Sequence, residues 1–146
     1  GFDLTMFWQG IQGRDIISDL KKETDLWSGL NIGFLNKGRR VLDAWTPNNP
    51  DSDIPALTRS DLNNEKRVST YYVEDGSFLK LRNIQIGYNV PEQALQKIKM
   101  RKLRVYVSAQ NLLTIKSRTF TGVDPENPNY GYPIPMNLTF GVNIGF

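Results

Sequence analysis

The carboxylates are the side chains of this 146-residue chain that could most readily do chemistry. Two carboxyl groups at a fixed separation can act as general acid and general base, but no spacing in the sequence fixes such a pair. The chain has no histidine and no cysteine, which removes the usual acid–base group near neutral pH and thiolate chemistry. We therefore expect no enzyme activity and no catalytic or metal-binding residues. The carboxylates considered are Asp3, Asp15, Asp19, Asp25, Asp51, Asp53, Asp61, Asp124 and Glu126.

One short motif is rich in oxygen ligands. Residues 122–129 read GVDPENPN, and such a loop could bind calcium. The motif lacks the regular spacing of an EF-hand, and a turn built from Asp-Pro and Asn-Pro explains it more simply. We expect no cofactor, with calcium as the less favoured alternative.

The strongest pattern is the alternation of apolar and polar residues in four segments. In the last segment, residues 137–146, one face would carry large apolar side chains and the other small or polar ones. Side chains of a strand point alternately to its two faces. A strand with one apolar and one polar face is typical of a barrel wall between lipid and a hydrated lumen. The apolar set is Leu138, Phe140, Val142, Ile144 and Phe146.

The four segments predict strands at about residues 2–10, 77–90, 103–114 and 137–146, each with room for the roughly 9–11 residues that a tilted strand needs to cross a bilayer. The side chains predicted to face lipid are Leu4, Met6, Trp8, Ile84, Ile86, Tyr88, Val90, Leu103, Val105, Val107, Leu138, Phe140, Val142 and Ile144. Those predicted to face the lumen are Asn83, Gln85, Arg104, Ser108, Gln110 and Asn143.

The second segment contains a change of parity. Leu79 and Leu81 occupy the opposite parity from Ile84 and Ile86. A bulge near residues 82–83 would reset the two faces. Alternatively, the strand rises above the membrane at this point, and the sequence leaves both explanations open.

The connections between the segments differ in length. Residues 11–76 form a long connection, residues 91–102 a short one and residues 115–136 a medium one. Outer-membrane barrels have short periplasmic turns and long extracellular loops. We therefore expect a short periplasmic turn with some helix at residues 91–102 and extracellular loops at residues 11–76 and 115–136. No apolar run approaches the 18 residues typical of a transmembrane helix.

Four strands cannot close a barrel, since the smallest has about eight. The chain also begins without an initiator methionine. We therefore expect a piece of a longer polypeptide, paired with preceding strands.

Aromatic and basic residues suggest possible partner sites. Exposed aromatics in the loops could bind a partner or a substrate, or could pack the loops against themselves; they are Trp27, Trp45, Tyr130 and Tyr132. Trp8 and Tyr88 suit the aromatic girdles of a barrel. The basic cluster is either a nucleic-acid patch or a solvated turn, and we expect the turn and no nucleic-acid partner. Its members are Lys97, Lys99, Arg101, Lys102 and Arg104.

Several motifs, in order along the chain, resemble the C-terminal region of SusC/RagA-like TonB-dependent outer-membrane transporters. The most characteristic are VEDGSFLKLRNIQIGYNVP at 73–91, LRVYVSAQNLLT at 103–114 and TGVDPENP at 121–128. WTPNNPDSDIP resembles the loop upstream, DLTMFWQGIQGRDI the strand before it and LTFGVNIGF the terminal strand. The resemblance covers almost the whole chain, and residues 21–40 are its least characteristic part.

The resemblance implies an all-β fold, the last four antiparallel strands of a large transmembrane barrel of about 22 strands with a plug in its lumen. The plug and most strands would lie in the absent N-terminal part, which would also contact TonB. The whole protein would import oligosaccharides or peptides across the bacterial outer membrane, together with a SusD-like surface lipoprotein and energised by TonB. Phe146 matches the terminal aromatic that the barrel assembly machinery recognises.

Two other classes of protein fit the alternation. One is a soluble antiparallel β binding module whose apolar faces form an ordinary core. The other is a structural outer-membrane adhesin, which would share the barrel but lack the plug.

Overall fold

The computed structural model describes residues 1–26, 36–58, 64–129 and 131–146. The chain divides into two compact units. The sheet unit comprises Gly1–Gln12, Ser77–Lys116 and Ile134–Phe146. The loop unit comprises Gly13–Gly76 and Ser117–Pro133.

The regular elements of the described residues are six strands, two short α-helices and three 3₁₀ helices, which span Arg39–Asp43, Thr70–Tyr72 and Gln96–Ile98. Among these residues, no helix combines the length and the hydropathy that crossing a membrane requires. The strands are β1 (Phe2–Ile11), β2 (Asp15–Ile17), β3 (Val73–Asp75), β4 (Phe78–Asn89), β5 (Lys102–Lys116) and β6 (Asn137–Gly145). The helices are α1 (Asp19–Asp25) and α2 (Glu92–Leu95).

The sheet unit is a four-stranded antiparallel sheet with the order β1-β4-β5-β6. Neighbours in the sheet are thus successive long strands of the chain, as in a meander. A strand lies over each of the four predicted ranges, and its ends fall within two residues of the prediction. The predicted antiparallel β architecture is therefore confirmed for this part of the chain.

The register brings the apolar residues of all four strands onto one face. Residues that face each other across antiparallel strands lie on the same side of the sheet, so each row of partners shares a face. The three apolar rows are Phe2–Tyr88–Val105–Val142, Leu4–Ile86–Val107–Phe140 and Met6–Ile84–Ala109–Leu138.

A bulge at Arg82 accounts for the change of parity in β4. At this residue the register shifts in the pairing with β1 and in the pairing with β5. Leu81 pairs with Trp8 and Leu113, and Asn83 pairs with Phe7 and Gln110. The apolar face therefore continues across the bulge. Of the two explanations left open by the sequence, the structure has the bulge.

The side chain of Arg82 holds the bulge on both sides. Its Nε donates to Gln9 Oε1 at 2.8 Å, and its Nη1 donates to Asn111 Oδ1 at 3.2 Å. Asn111 lies on β5 opposite the bulge and has a φ of 52°. Asparagine is one of the few residues that adopt this left-handed conformation readily.

The short connection between β4 and β5 contains the predicted helical segment. Helix α2 begins after Pro91 and continues into a 3₁₀ turn at Gln96–Ile98, which ends at Lys99 with a φ of 55°. Leu95 is buried, and its carbonyl accepts from the Met100 N–H at 3.2 Å. The chain thus reverses within a few residues around one apolar anchor.

The loop unit has more regular structure than the sequence predicts. Strand β2 pairs with β3, and the hydroxyl of Ser18 accepts from the Lys21 N–H at 3.2 Å to cap α1. Three-residue strands and a seven-residue helix are too short for a hydrophobic period to be visible. Among the described residues of this unit, the buried apolar side chains include Ile16, Leu26, Ala44, Tyr72 and Phe120.

The two long connections fold together into this unit through polar contacts. Both oxygens of the buried Glu74 carboxylate accept from Thr121, its hydroxyl at 2.7 Å and its N–H at 3.0 Å. Arg14 Nη1 donates to the carbonyl of Pro125 at 3.2 Å. Asp19 and Asn129 exchange two hydrogen bonds, of 3.0 and 3.4 Å. Residues 117–129 are therefore fastened to residues 14–74 rather than forming a separate loop.

Candidate functional site

The candidate site of the sheet unit consists of its two opposite faces, which differ sharply in chemistry. On the apolar face, none of the side chains predicted to face lipid is buried. Leu4, Phe140 and Val142 are each more than half exposed. Soluble monomers rarely expose large contiguous apolar patches, so this surface is a candidate for contact with an apolar partner. Contact with lipid stays a prediction.

The six residues predicted to face the lumen share the opposite face. Gln85 pairs with Ser108, Asn83 with Gln110, and Arg104 with Asn143. Thr5 and Thr139 extend the Gln85–Ser108 row to the outer strands. The structure therefore brings these residues together as a polar surface across the sheet.

An ion pair crosses the polar face from β5 to β1, above the intervening strand β4. Arg104 Nη2 lies 2.6 Å from Asp3 Oδ2, and its Nε donates to Asp3 Oδ1 at 3.2 Å. Asn89 Nδ2 donates to the same carboxylate at 3.1 Å. A Cβ added at Gly87 would lie 2.5 Å from Arg104 Nη2 and 2.7 Å from Asp3 Oδ1. The missing side chain at Gly87 is therefore what lets two strands that are not neighbours form an ion pair.

A second glycine on this face is covered by an aromatic ring. Tyr106 is the register partner of Gly141, and its ring occupies the space that a Cβ at Gly141 would fill. Packing of an aromatic ring over a strand glycine compensates for the missing side chain. The guanidinium carbon of Arg104 lies 5.3 Å from the centroid of this ring, a cation–π distance. Large and small residues thus alternate across the polar face.

Three members of this network were missed by sequence reasoning, namely Asp3, Gly87 and Tyr106. The lumen-facing set was restricted to polar side chains on three strands. The available signal was the alternation of each strand, which places these residues on its polar side. In the structure, Asp3, Gly87, Tyr106 and Gly141 form a single register row.

The loop unit contains a buried polar cluster centred on Asp25. Asp25 is fully buried, forms an ion pair with Arg40, and accepts from the Tyr71 hydroxyl at 2.8 Å. Lys21 Nζ donates to the Tyr71 carbonyl at 2.5 Å and lies 4.1 Å from the centre of the Tyr71 ring. A buried carboxylate needs such partners, since an isolated buried charge is very costly. This arrangement fits a structural cluster.

The pKa shifts in this cluster follow from burial. Burial raises the pKa of Tyr71, and its hydrogen bond to Asp25 adds to that effect. Burial lowers the pKa of Lys21, and the nearby positive charge of Arg40 contributes in the same direction. Since Tyr71 keeps its proton and Asp25 is matched by Arg40, the cluster is complete without a bound ligand.

Three of the carboxylates considered from the sequence have partners that suit structural roles. Asp3 and Asp25 are in ion pairs, and Asp19 bonds Asn129 and lies 3.5 Å from Lys22 Nζ. Within the described ranges, no group of three or more metal-binding side chains of the His, Cys, Asp and Glu types comes together.

The GVDPENPN motif forms a turn. Asp124 Oδ1 accepts from the Glu126 N–H, and the Asp124 carbonyl accepts from the Asn127 N–H, at 3.0 and 3.1 Å. This geometry agrees with the simpler interpretation from the sequence. Calcium at this loop remains an untested alternative.

The remaining candidate residues are distributed as follows. Trp45 and Tyr132 are exposed, by 43% and 94%. Trp27 and Tyr130 lie outside the described residues. Phe146 is largely exposed, and its role in barrel assembly stays a prediction. Of the basic cluster, Arg104 belongs to the polar-face ion pair. Lys97, Lys99 and Arg101 are exposed on the turn between β4 and β5, and Lys102 is exposed at the start of β5.

Comparison with known proteins identifies the class. The chain is 34% identical over 161 residues to TonB-dependent receptor P3 of Formosa agariphila, an alignment that covers 99% of this chain and 15% of that receptor. It is 31% identical over 159 residues to TonB-dependent receptor P26 of the same organism, with the same coverage of 99% and 15%. No family model matches the chain.

Solved structures of a transporter also match the chain. The structure of the RagAB peptide transporter matches 100% of this chain and 16% of its own chain, with a TM-score of 0.81 and 31% identity. The RagAB peptide importer in its closed-closed state matches with a TM-score of 0.80 and 29% identity, again over 100% of this chain and 16% of its own. The relatives are receptors and transporters, which is consistent with a chain that is not an enzyme.

The antiparallel sheet and these relatives together define the class, so the chain belongs to the TonB-dependent receptors. Within that class it is SusC/RagA-like, and the resemblance found in the sequence is confirmed. The chain spans 15% of the length of the curated receptors it matches.

The ion pair on the polar face gives a direct test of the role of Gly87. Gly87→Val should separate Asp3 from Arg104, because the new side chain would occupy the space between them. We expect Asp3→Asn to lower the melting temperature of the purified full-length receptor in the wild-type background and to have little further effect beside Gly87→Val.

The matched control is Gly145→Ala, because a Cβ there would meet Lys102 Cβ at 3.3 Å and would not touch the ion pair. Beside this control, Asp3→Asn should keep its full effect. Equal effects of Asp3→Asn in the wild-type and Gly87→Val backgrounds would contradict the assignment.

Proposed function

We propose that this chain is the C-terminal part of the barrel of an outer-membrane importer, with its apolar face against lipid and its polar face towards the lumen. The observation that carries the proposal is the uncovered apolar surface formed by three complete rows across four strands. The opposite surface carries mostly polar side chains and glycines, together with the aromatic rings of Phe7 and Tyr106. This is the division expected of a wall between hydrocarbon and a hydrated interior.

The two edge strands of the sheet need further strands as hydrogen-bonding partners. In a bilayer, an open edge leaves backbone groups without hydrogen bonds, each at a cost of several kcal/mol. Strands β1 and β6 are the outer strands of the sheet. In the proposal, both pair with the other strands of the same polypeptide, which also supplies the plug and the contact with TonB.

The lengths of the connections support an orientation. The turn at residues 91–102 is short, whereas the loop unit draws on two long connections. Since barrels of this kind place short turns in the periplasm and long loops outside, the turn is periplasmic and the loop unit is extracellular in the proposal.

The cargo in the proposal is an oligosaccharide or a peptide, taken up with a SusD-like surface lipoprotein and driven by TonB. The relatives named TonB-dependent receptors support the energy source, and the RagAB structures are those of a peptide transporter. Peptides are therefore the cargo class to test first. The chain itself does no chemistry on the cargo.

The exposed apolar face argues against the alternative of a soluble binding module. Such a module would bury one apolar face as its core, yet Phe140, Val142 and Leu138 are all more than half exposed. An adhesin would share the barrel wall but would lack a plug. The presence or absence of a plug domain in the full-length polypeptide therefore distinguishes an importer from an adhesin.

The assignment of the two faces predicts opposite responses to a charge at neighbouring positions. Val107 lies in the apolar row between Ile86 and Phe140, and Ser108 lies in the polar row between Gln85 and Thr139. Val107→Lys should destabilise the membrane-embedded receptor by about 2–4 kcal/mol, whereas Ser108→Lys, the matched control, should be tolerated. The measurement is urea unfolding of the full-length receptor in lipid vesicles, followed by gel mobility. Equal losses for the two variants would overturn the assignment of the faces.

The loop unit predicts a contact with the lipoprotein. Trp45 is exposed, and large aromatic side chains often dominate protein interfaces. Trp45→Ala should weaken lipoprotein binding to the intact receptor by roughly tenfold or more, the loss of a residue worth about 2 kcal/mol.

The control for Trp45 is Leu57→Ala, since Leu57 is 42% exposed and Trp45 is 43% exposed. Binding is measured by surface plasmon resonance, with thermal stability recorded for both variants. Unchanged lipoprotein binding and unchanged uptake in Trp45→Ala would contradict the proposed contact at Trp45.

A further inference from the structure

A groove crosses the apolar face at the end of the sheet that carries the turn at residues 91–102. Its volume is about 300 Å³. Phe2 and Tyr88 form one side, with ring centroids 4.7 Å apart, and Phe140 on β6 forms the other. Aromatic sides and an aliphatic floor suit a hydrocarbon chain. The floor consists of Ile86, Val105 and Val107, and Gly87 and Tyr106, which lie between them in sequence, complete the lining.

The adjoining turn is strongly basic. Residues 91–102 contain four basic residues and one acidic residue, Glu92. The basic residues are Lys97, Lys99, Arg101 and Lys102, and all four are exposed. Among the described residues, no ion pair joins any of them to a carboxylate. The turn therefore presents an excess of uncompensated positive charge.

The strand register connects the basic turn with the apolar face. The Arg101 N–H donates to the Gly145 carbonyl at 2.9 Å, which continues the pairing of β5 with β6. One further step in this register places Arg101 opposite Phe146, in the row after Leu103–Ile144. Arg101 is thus positioned at the border between the apolar face and the basic turn.

The spacing of the two features fits one amphiphilic molecule. Arg101 lies four residues from Val105 in the groove floor, a distance of about 13 Å along a strand. Half of a hydrocarbon core of about 30 Å is about 15 Å. An acyl chain in the groove and a phosphate at Arg101 can therefore belong to the same lipid in one leaflet.

We propose that the sheet unit binds an anionic phospholipid of the periplasmic leaflet, with an acyl chain in the groove and the phosphate at Lys99 and Arg101. The ligand is anionic because a zwitterionic headgroup brings an ammonium group towards the same basic residues. This inference rests on the proposed function, since it takes the apolar face to contact hydrocarbon.

Native mass spectrometry of the delipidated full-length receptor in detergent tests the proposal. The probes are phosphatidylglycerol and phosphatidylethanolamine with identical acyl chains. Wild-type receptor should bind phosphatidylglycerol at least about tenfold more tightly, because phosphatidylethanolamine brings an ammonium group towards Lys99 and Arg101. Lys99→Gln combined with Arg101→Gln should remove this preference.

Two further variants separate the headgroup from the groove. Arg39→Gln combined with Arg118→Gln removes two exposed cations of the loop unit and should leave the preference intact. Phe140→Ala should weaken binding of both lipids to a similar extent, because it opens one side of the groove. Equal binding of the two lipids to wild type, or a preference that survives Lys99→Gln with Arg101→Gln, would overturn the proposal. Neither result touches the proposed function, which fails instead if the full-length receptor stays monodisperse without detergent.

Discussion

The pairing of β4 with β5 is the constraint on which the other features of the sheet depend. These two inner strands share the longest ladder, and their residues in the three apolar rows lie opposite apolar residues of the outer strands. A slip of one residue would move Ile84, Ile86 and Tyr88 to the polar face. The bulge at Arg82 keeps the match beyond the point where the sequence changes parity, because Leu81 still lies between Trp8 and Leu113.

The polar face shows how a sheet with one apolar side can be stabilised on the other. Side chains there cannot gain much from hydrophobic burial, and two glycines instead create room for large neighbours. Arg104 extends across Gly87 to reach Asp3, and Tyr106 covers Gly141. The ion pair links β1 to β5 by side chains, although these two strands share no backbone ladder. Polar contacts also hold the loop unit together, since Thr121 donates hydrogen bonds from its N–H and its hydroxyl to Glu74, which is far away in sequence.

The parts of the fold that could be predicted from the sequence were those with a local period. Alternation over eight or more residues placed the four long strands and separated Val107 from Ser108. The loop unit could not be predicted in this way, because contacts such as Arg14 to Pro125 and Asp19 to Asn129 leave no local pattern. The bulge was one of two open explanations, because a change of parity alone does not distinguish a bulge from a strand that rises above the membrane.

The candidate site was predictable to a similar degree. Parity assigned the polar face, and the register brings all six predicted residues onto it. Gly87 was missed because its contribution is the space above it, and Asp3 was missed because its partner lies 101 residues away. The sequence identifies the loop aromatics as candidate contact residues by their type, but it does not show which of them are exposed. The structure shows that Trp45 is exposed.

The central claim is that alternate residues of β5 contact hydrocarbon. Its most direct test is a set of single cysteines at residues 103–110, introduced into the full-length receptor after removal of any cysteine elsewhere and labelled with a nitroxide in lipid vesicles. Because oxygen partitions into hydrocarbon, spin labels at Leu103, Val105, Val107 and Ala109 should be the more accessible to oxygen. Labels at Arg104, Tyr106, Ser108 and Gln110 should be the more accessible to a water-soluble nickel reagent. Accessibilities without this two-residue period would contradict the account.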